Sequence, residues 1–540
     1  MFKEEKKDVM RTMKNSVLFL LGSIFVTASF TACRAEDDYI GKAPEHPQTA
    51  NIVKAHDARV IASGYMTARF DKRAFTRGNF SANDITINQL SESEAKALRE
   101  SQAGEGGSSM TYMYAWTTLT YRCKTADGSE KDLSELLVWP YTGFNWSPNQ
   151  LVIGCHSTIT SNAQCPTNFI NLPSAGEINM LALFAHAFSQ QALVIIPDYE
   201  GYGSTASYPH PYCNRELTAE QVVEGVKAGL DYFEKNVTSM EDNWKACAVG
   251  YSQGGAVAAG VLRYCQEHNE TSLRLQGAVC GDGPYAPLAT LKRYIEMDKL
   301  YMPVAPAMLL KGAVDTDPDM QALNCHYEDF VTDEFYHTDI FEMIGGKQMT
   351  TDDIQAALLK YSHDYGDDCG FYMIAQCEDG FIPYTQNNLV DGSGKQRHFD
   401  LENGKGYNYC TVDKCLKPGV IEYFRSGAIL GDVPEEKLKA LEHSLSKNNL
   451  TADNFTPGRG FTFFHSDGDE VVPYCNFENV RNTWGVNTIA ALTYQSNTTL
   501  HVGTGTAFFL SYCGGLVDEI LEGKWTPREQ TVGGIIWARK

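Results

Sequence analysis

A serine hydroxyl becomes a useful nucleophile when a tight turn holds it clear of its neighbours and a base takes its proton. The run Gly250-Tyr251-Ser252-Gln253-Gly254 has the residue types for such a turn. An apolar stretch, Ala246-Cys247-Ala248-Val249, leads into it, and a small-residue stretch, Gly255 to Leu262, leads out. This is the strand–turn–helix context of a nucleophilic serine, and the two glycines let strand and helix approach closely. The start of a helix also favours negative charge developing beside it. A plain glycine–serine turn is the bland alternative, and the flanking runs argue against it.

The base and the acid are expected downstream, in the order Ser, Asp/Glu, His. Phe461-Thr462-Phe463-Phe464 reads as a buried strand. It ends in His465-Ser466-Asp467-Gly468-Asp469-Glu470-Val471-Val472-Pro473. A second strand-like run, Ile489 to Tyr494, is followed by His501 and by a stretch from Gly503 to Tyr512 with helical character. The assignment is Ser252 as nucleophile, His501 as general base and Asp469 as the acid that orients the imidazole. Asp467 competes for the acid's role. His465 is read as shaping the acid's loop, and Asp282 as a turn aspartate, with a side chain pointing toward the site as the competing reading.

The charge on an attacked carbonyl oxygen needs fixed N–H donors. The amide of Gln253 supplies one. The second is expected from the loop Cys155-His156-Ser157-Thr158 after the strand Leu151-Val152-Ile153-Gly154, with Ser157 at the position of interest. His156 is read as a structural loop histidine.

These residues together resemble the secretory lipase family of the α/β-hydrolases over roughly residues 110–290 and 456–515. The resemblance also rests on Val194-Ile195-Ile196-Pro197-Asp198-Tyr199-Glu200-Gly201-Tyr202-Gly203, on Pro209-His210-Pro211-Tyr212, and on the His-x-x-x-Asp-x-Val-Val-Pro run from His465 to Pro473. It implies an α/β-hydrolase core, a mostly parallel sheet with helices on both faces, acting on carboxylic esters through an acyl-enzyme. The chain departs from the family's usual His-Gly-Gly or His-Gly-Thr loop at Ser157. It also departs in a long amino-terminal stretch and a large insertion between nucleophile and acid. A cap-type serine peptidase or aminopeptidase on the same fold, or an inactive binding lipoprotein, are the competing functions.

The first 33 residues read as a targeting segment. Lys3, Lys6, Lys7, Arg11 and Lys14 make a basic start, Val17 to Phe30 an apolar run, and Thr31-Ala32-Cys33 its end. A small residue before cysteine after such a run is the pattern of a bacterial lipoprotein signal, with Cys33 as the lipidated first residue of the mature chain. The expected place is therefore the outer membrane, facing periplasm or exterior, with membrane contact only through the lipid. An ordinary cleaved signal is the alternative.

The chain has 540 residues, a net charge of −22 and 43% hydrophobic residues. Such a charge argues against nucleic acid as a partner. A small-molecule or lipid ester is the expected ligand, and the oligomeric state stays open. No C-x-x-C or H-E-x-x-H occurs, so neither a metal nor another cofactor is expected. Of the 15 cysteines, Cys155, Cys247 and Cys280 fall in apolar strand-like runs and are read as buried thiols. Cys410 with Cys415 and Cys369 with Cys377 are the expected bridges.

Beyond the signal, residues 34–109 read as a linker and amino-terminal extension, and 110–290 as the first part of the hydrolase core. Residues 291–455 read as an inserted cap or lid, and 456–540 as the second part of the core. Strands alternating with helices from 151 to 280 indicate a parallel sheet. Within this run, Thr218 to Lys235 is expected to be a helix opened by a capping box of Thr218 and Gln221. Met297, Tyr301, Met302, Met308, Leu309 and Leu310 are read as cap core, with an acyl pocket as the competing role.

Overall fold

A computed structural model describes residues 58–71, 85–101, 109–141, 146–168, 183–187, 191–401, 409–495 and 501–533. The targeting segment, Cys33 and the linker after it lie outside the described residues. So does most of the region from 169 to 190, of which residues 183–187 are helical.

Eleven strands make one sheet: β1 (Arg59–Asp71), β2 (Ile85–Leu90), β3 (Ser109–Lys124), β4 (Glu130–Pro140), β5 (Gln150–Cys155), β6 (Leu193–Pro197), β7 (Lys245–Tyr251), β8 (Leu275–Gly281), β9 (Phe461–Ser466), β10 (Ala490–Gln495) and β11 (Arg528–Gly533). Their order is β11-β10-β9-β8-β7-β5-β6-β4-β3-β1-β2. The pairs from β6 through β5, β7, β8, β9 and β10 to β11 are parallel. Those joining β6 to β4, β3, β1 and β2 are antiparallel. The stretch read as an amino-terminal extension thus adds β1 and β2 to the same sheet, with helix α1 (Glu92–Ser101) between β2 and β3.

Successive residues of a strand face opposite sides, and both sides are apolar. On one, Leu137, Ile153, Ile195, Phe461 and Phe463 pack with Val222, Val226 and Phe233 of helix α2 (Arg215–Asn236) and with Ala258 and Leu262 of helix α3 (Gln253–Glu267). On the other, Val138, Val152, Val194, Val249 and Phe464 pack with Phe508, Leu516 and Ile520. Each of the valine, leucine, isoleucine and phenylalanine side chains, fully buried, contributes about 1.5–3 kcal/mol. The sheet is therefore the middle layer of three, which explains why its central strands read as unbroken apolar runs.

Helix α2 begins one turn before the expected capping box. Its cap is Asn214, whose side chain accepts the Leu217 N–H at 3.3 Å. Thr218 is inside the helix. Gln221 donates instead to the Glu200 carboxylate at 2.7 Å and to the Lys124 carbonyl. A turn through Cys213, at φ 60°, sets Asn214 where the chain enters the helix.

Between β8 and β9 the chain builds a helical block with its own apolar core. Its main helices are Pro287–Met297, Val304–Thr316, Thr351–Tyr365, Pro418–Ser426 and Glu435–Lys447. A small antiparallel sheet of Gly380–Pro383, Ile374–Cys377, Tyr409–Cys410 and Leu300–Tyr301 flanks them. Met308, Leu309 and Leu310 are buried in this core, and Met297 and Met302 pack against it. The block is tied to the sheet by the Lys347 ammonium, which donates to the Ala206 and Tyr208 carbonyls, and by Thr160, which donates to the Met349 carbonyl at 2.8 Å.

The described cysteines are all thiols. Cys155, Cys247 and Cys280 are buried in strands as expected. Cys369 and Cys377 are not bridged: the turn at Gly370, φ 72°, leaves the Cys369 Sγ facing the carbonyls of Gly366 and Phe371. The Cys410 and Cys415 sulfurs lie 3.0 Å apart, unbridged.

Candidate active site

Strand β7 ends at Tyr251 and helix α3 begins at Gln253, so Ser252 carries the whole reversal. Its backbone sits at φ 57°, ψ −127°, a strained conformation for a residue with a Cβ. The turn persists because its surroundings fix it. The Ser252 N–H donates to the Gly281 carbonyl at 2.9 Å, and its carbonyl accepts from Gly255 and Ala256. A Cβ on Gly250 would stand 2.1 Å from the Gly254 carbonyl oxygen, and one on Gly254 would stand 2.1 Å from that of Cys155. Both glycines are demanded by close approach.

His501 is brought to this serine from the far end of the sheet. It opens the helix Val502 continues after β10, and its backbone N–H is capped by the Glu470 carboxylate at 3.1 and 3.3 Å. Its Nε2 lies 2.9 Å from Ser252 Oγ, and its Nδ1 lies 2.5 Å from Asp469 Oδ2. The other carboxylate oxygen, Asp469 Oδ1, accepts the N–H groups of Val471 at 2.9 Å and Val472 at 2.7 Å. Asp467 lies two residues earlier and is exposed. The loop after β9 therefore brings Asp469, and not Asp467, to the imidazole.

Burial raises the Asp469 carboxyl, to about 7, against the two backbone N–H groups that favour its ionised form. Burial lowers the His501 imidazole, and the Asp282 and Glu470 carboxyls act in the opposite direction. With Nδ1–H donated to Asp469, the neutral ring presents the Nε2 lone pair to the serine hydroxyl, the arrangement that proton abstraction requires.

Gln253 is the first residue of α3, so no earlier turn of helix accepts its N–H. Its side-chain amide donates to His210 Nε2 at 2.8 Å, while His210 Nδ1 donates to the Glu200 carbonyl at 2.7 Å. The Pro209–Tyr212 segment noted in the sequence thus fastens the residue after the serine. Ser157 also lies against the elbow, its hydroxyl donating to the Tyr251 carbonyl at 3.2 Å. His156 is held between the Ser157 and Asp198 carbonyls and stacks on Tyr199 at 4.0 Å, a structural setting. The Asp198 carboxylate accepts from Ser134 and from the backbone and hydroxyl of Thr167. A Cβ on Gly203 would meet it at 2.0 Å, which accounts for the glycine in that motif.

One residue of the site, Glu470, escapes the sequence reading, and another, Asp282, is there read first as a turn residue. Glu470 caps the backbone N–H of His501. Asp282 is no turn aspartate: it is fully buried, accepts the Ser466 N–H at 2.7 Å, and has Oδ2 2.6 Å from the Tyr251 hydroxyl. Only its position after an apolar strand hinted at this. Asp282, His465 and Asp469 offer ligand atoms within 4.8 Å of one another. Their carboxylate oxygens already face Ser466, Tyr251, Val471, Val472 and His501, a donor set committed to hydrogen bonds. Among the described residues no helix is long and apolar enough to cross a membrane.

A mostly parallel sheet with helices on both faces, and a helical insertion before its last strands, defines an α/β-hydrolase. Solved structures agree on the fold. The rice cell wall degrading esterase LipA from Xanthomonas oryzae is 17% identical, over 86% of this chain and 98% of that one, with a TM-score of 0.55. A putative hydrolase from Legionella pneumophila is 15% identical over 85% and 98%, with a TM-score of 0.54. Candida antarctica lipase A in its closed state is 12% identical over 79% and 83%, with a TM-score of 0.50. No curated protein matches the chain. The model of the secretory lipase family matches residues 174–357, a span holding the elbow and the start of the insertion. By that match and its fold, the protein is a carboxylic ester hydrolase.

Proposed function

We propose that the protein is an exported serine esterase or lipase working through Ser252, His501 and Asp469. The observation that carries this reading is the unbroken line from Asp469 Oδ2 through the His501 ring to Ser252 Oγ, 2.5 and 2.9 Å, on a turn held at positive φ. Ser252 Oγ attacks the ester carbonyl carbon while His501 Nε2 takes its proton. Asp469 stabilises the imidazolium so formed. The Gln253 N–H, with a second donor from the loop at Ser157, faces the negative oxygen. The imidazolium then returns its proton to the departing alcohol. Water, deprotonated by the same histidine, hydrolyses the acyl-enzyme.

The helical block from 291 to 455 would act as a cap that selects the acyl group. Export and attachment through a lipid on Cys33 would place the enzyme at a bacterial outer membrane. Lipid burial of about 0.8 kcal/mol per methylene makes several acyl chains together a firm anchor. The test is a panel of esters from acetyl to long acyl, run beside aminoacyl amides on the purified mature chain. Turnover of esters alone supports the reading. Turnover of the amides alone would make the protein a peptidase.

A further inference from the structure

Three oxygens stand in a row behind the site. The Tyr251 Oη lies 2.6 Å from Asp282 Oδ2 and also 2.6 Å from the backbone carbonyl oxygen of His501. Both separations are those of short O–H···O hydrogen bonds. A carbonyl oxygen has no hydrogen to give, and a tyrosine has one. The Tyr251 hydrogen is therefore committed to the His501 carbonyl, and the contact with Asp282 needs a hydrogen from the other side.

We propose that Asp282 is kept as a neutral carboxylic acid whose O–H donates to Tyr251, and that this Asp282–Tyr251–His501 relay is a positioning device for the base.

A second observation points the same way. Asp282, His465 and Asp469 crowd within 4.8 Å, all buried. Two carboxylates sharing such a site do not both ionise readily. Asp469 has the stronger claim to the charge, because two backbone N–H groups and the imidazole N–H converge on it. Asp282 receives one backbone N–H, from Ser466. The groups facing Asp282 are Tyr251 from β7, His465 from β9, Asp469 from the loop after it, and His501. His465 donates Nε2–H to the Val472 carbonyl at 3.0 Å, which leaves Nδ1 as a lone pair 3.8 Å from Asp282 Oδ1. A neutral ring there supplies no counter-charge. Burial raises both carboxyls, Asp282 to about 6 and Asp469 to about 7, so it is the hydrogen-bond directions, and not burial, that put the proton on Asp282.

The relay matters because it holds His501 by its backbone as well as by its ring. Glu470 holds the N–H of His501 and Tyr251 holds its carbonyl. The ring is then fixed against a serine that directly follows the same tyrosine. The proposal rests on the reading of His501 as the base, but the state of Asp282 can be read without turnover.

The experiment uses the full chain and three variants, Asp282→Asn, Asp282→Ala and Tyr251→Phe. An infrared difference spectrum at the neutral pH where the enzyme turns over, wild type minus Asp282→Asn, should contain a carboxylic-acid C=O band, and Tyr251→Phe should shift that band. Kinetics should show rescue by the amide. Asp282→Asn, which keeps a donor toward Tyr251 and an acceptor for Ser466, retains most of kcat. Asp282→Ala and Tyr251→Phe lose about tenfold or more in kcat with little change in KM, as expected for a buried donor or acceptor left unpaired. Absence of the band, or an Asp282→Asn variant as impaired as Asp282→Ala, would mean an ionised Asp282 and would overturn the proposal. Should the triad reading itself be wrong, Ser252→Ala would leave turnover intact while the infrared band still reports on Asp282. The two failures are thereby separable.

Discussion

Asp469 Oδ2 stands 2.5 Å from His501 Nδ1, and the second oxygen of the same carboxylate is held by the N–H groups of Val471 and Val472. One side chain thus closes its own loop and orients an imidazole on a different element. This dual attachment separates Asp469 from its neighbour Asp467, which shares the loop but is exposed.

The two aspartates should differ sharply on substitution. Asp469→Asn keeps the shape but cannot accept the imidazole N–H well or balance the imidazolium, so kcat should fall by about 10⁴. Asp467→Asn should change kcat by less than about twofold, as surface substitutions usually do. Steady-state kinetics on both variants checks this. The reverse ranking would remove Asp469 from the role.

The pH profile should follow the base and its acid. His501 must be neutral to accept a proton, and burial lowers its pKa, so it stays neutral to lower pH than a free histidine. Asp469, raised to about 7, must also be ionised, so the wild-type acid limb of kcat/KM reflects both groups; in Asp469→Asn, where the imidazole titrates alone, its midpoint should lie below about 6.5. A midpoint above 7 in that variant would contradict a buried, lowered imidazole as the base.

Gly254 offers a purely steric test. A methyl group there would stand 2.1 Å from the Cys155 carbonyl oxygen and 2.7 Å from that of His156. Gly254→Ala should destabilise the fold by about 1–3 kcal/mol, the range for overpacking. It should also lower activity further than the loss of folded enzyme explains, because the shift falls on the elbow. Thermal unfolding with active-site titration measures both. An unaltered melting temperature would mean that the loop yields freely.

Attachment to the membrane is tested separately. Cys33→Ala should move the enzyme from the membrane fraction to the soluble fraction with its specific activity retained, since β1, the first described strand, begins at Arg59. Wild-type enzyme in the soluble fraction, with a mature terminus other than Cys33, would indicate an ordinary secreted hydrolase.

Much of this arrangement is legible in the residues, and the reasons differ by element. The parallel strands announce themselves because both faces are buried, so Val194-Ile195-Ile196 and Phe461 to Phe464 read as unbroken apolar runs. The elbow is legible because steric demand leaves only glycine at 250 and 254. Strand β11 is not legible: Arg528-Glu529-Gln530-Thr531 lies on the sheet edge and carries no apolar run. The start of α2 is misread because a good capping pattern at Thr218 and Gln221 competes with Asn214, and the tertiary contact of Gln221 with Glu200 decides. Asp282 is read first as a turn residue because its role depends on Tyr251, 31 positions away, and on the amide of Ser466 on the neighbouring strand. Short-range pattern carries information about strands, helices and tight turns. It carries little about which buried polar atoms meet.

The central claim is that Ser252 is the nucleophile, and labelling tests it most directly. The wild-type enzyme, treated with a serine-directed phosphonate and digested, should yield one modified peptide with the label on Ser252, together with complete loss of ester hydrolysis. Ser252→Ala, folded by circular dichroism, should take up no label and lose roughly three or more decades in kcat. Label on another residue, or near-normal hydrolysis by the alanine variant, would contradict the account.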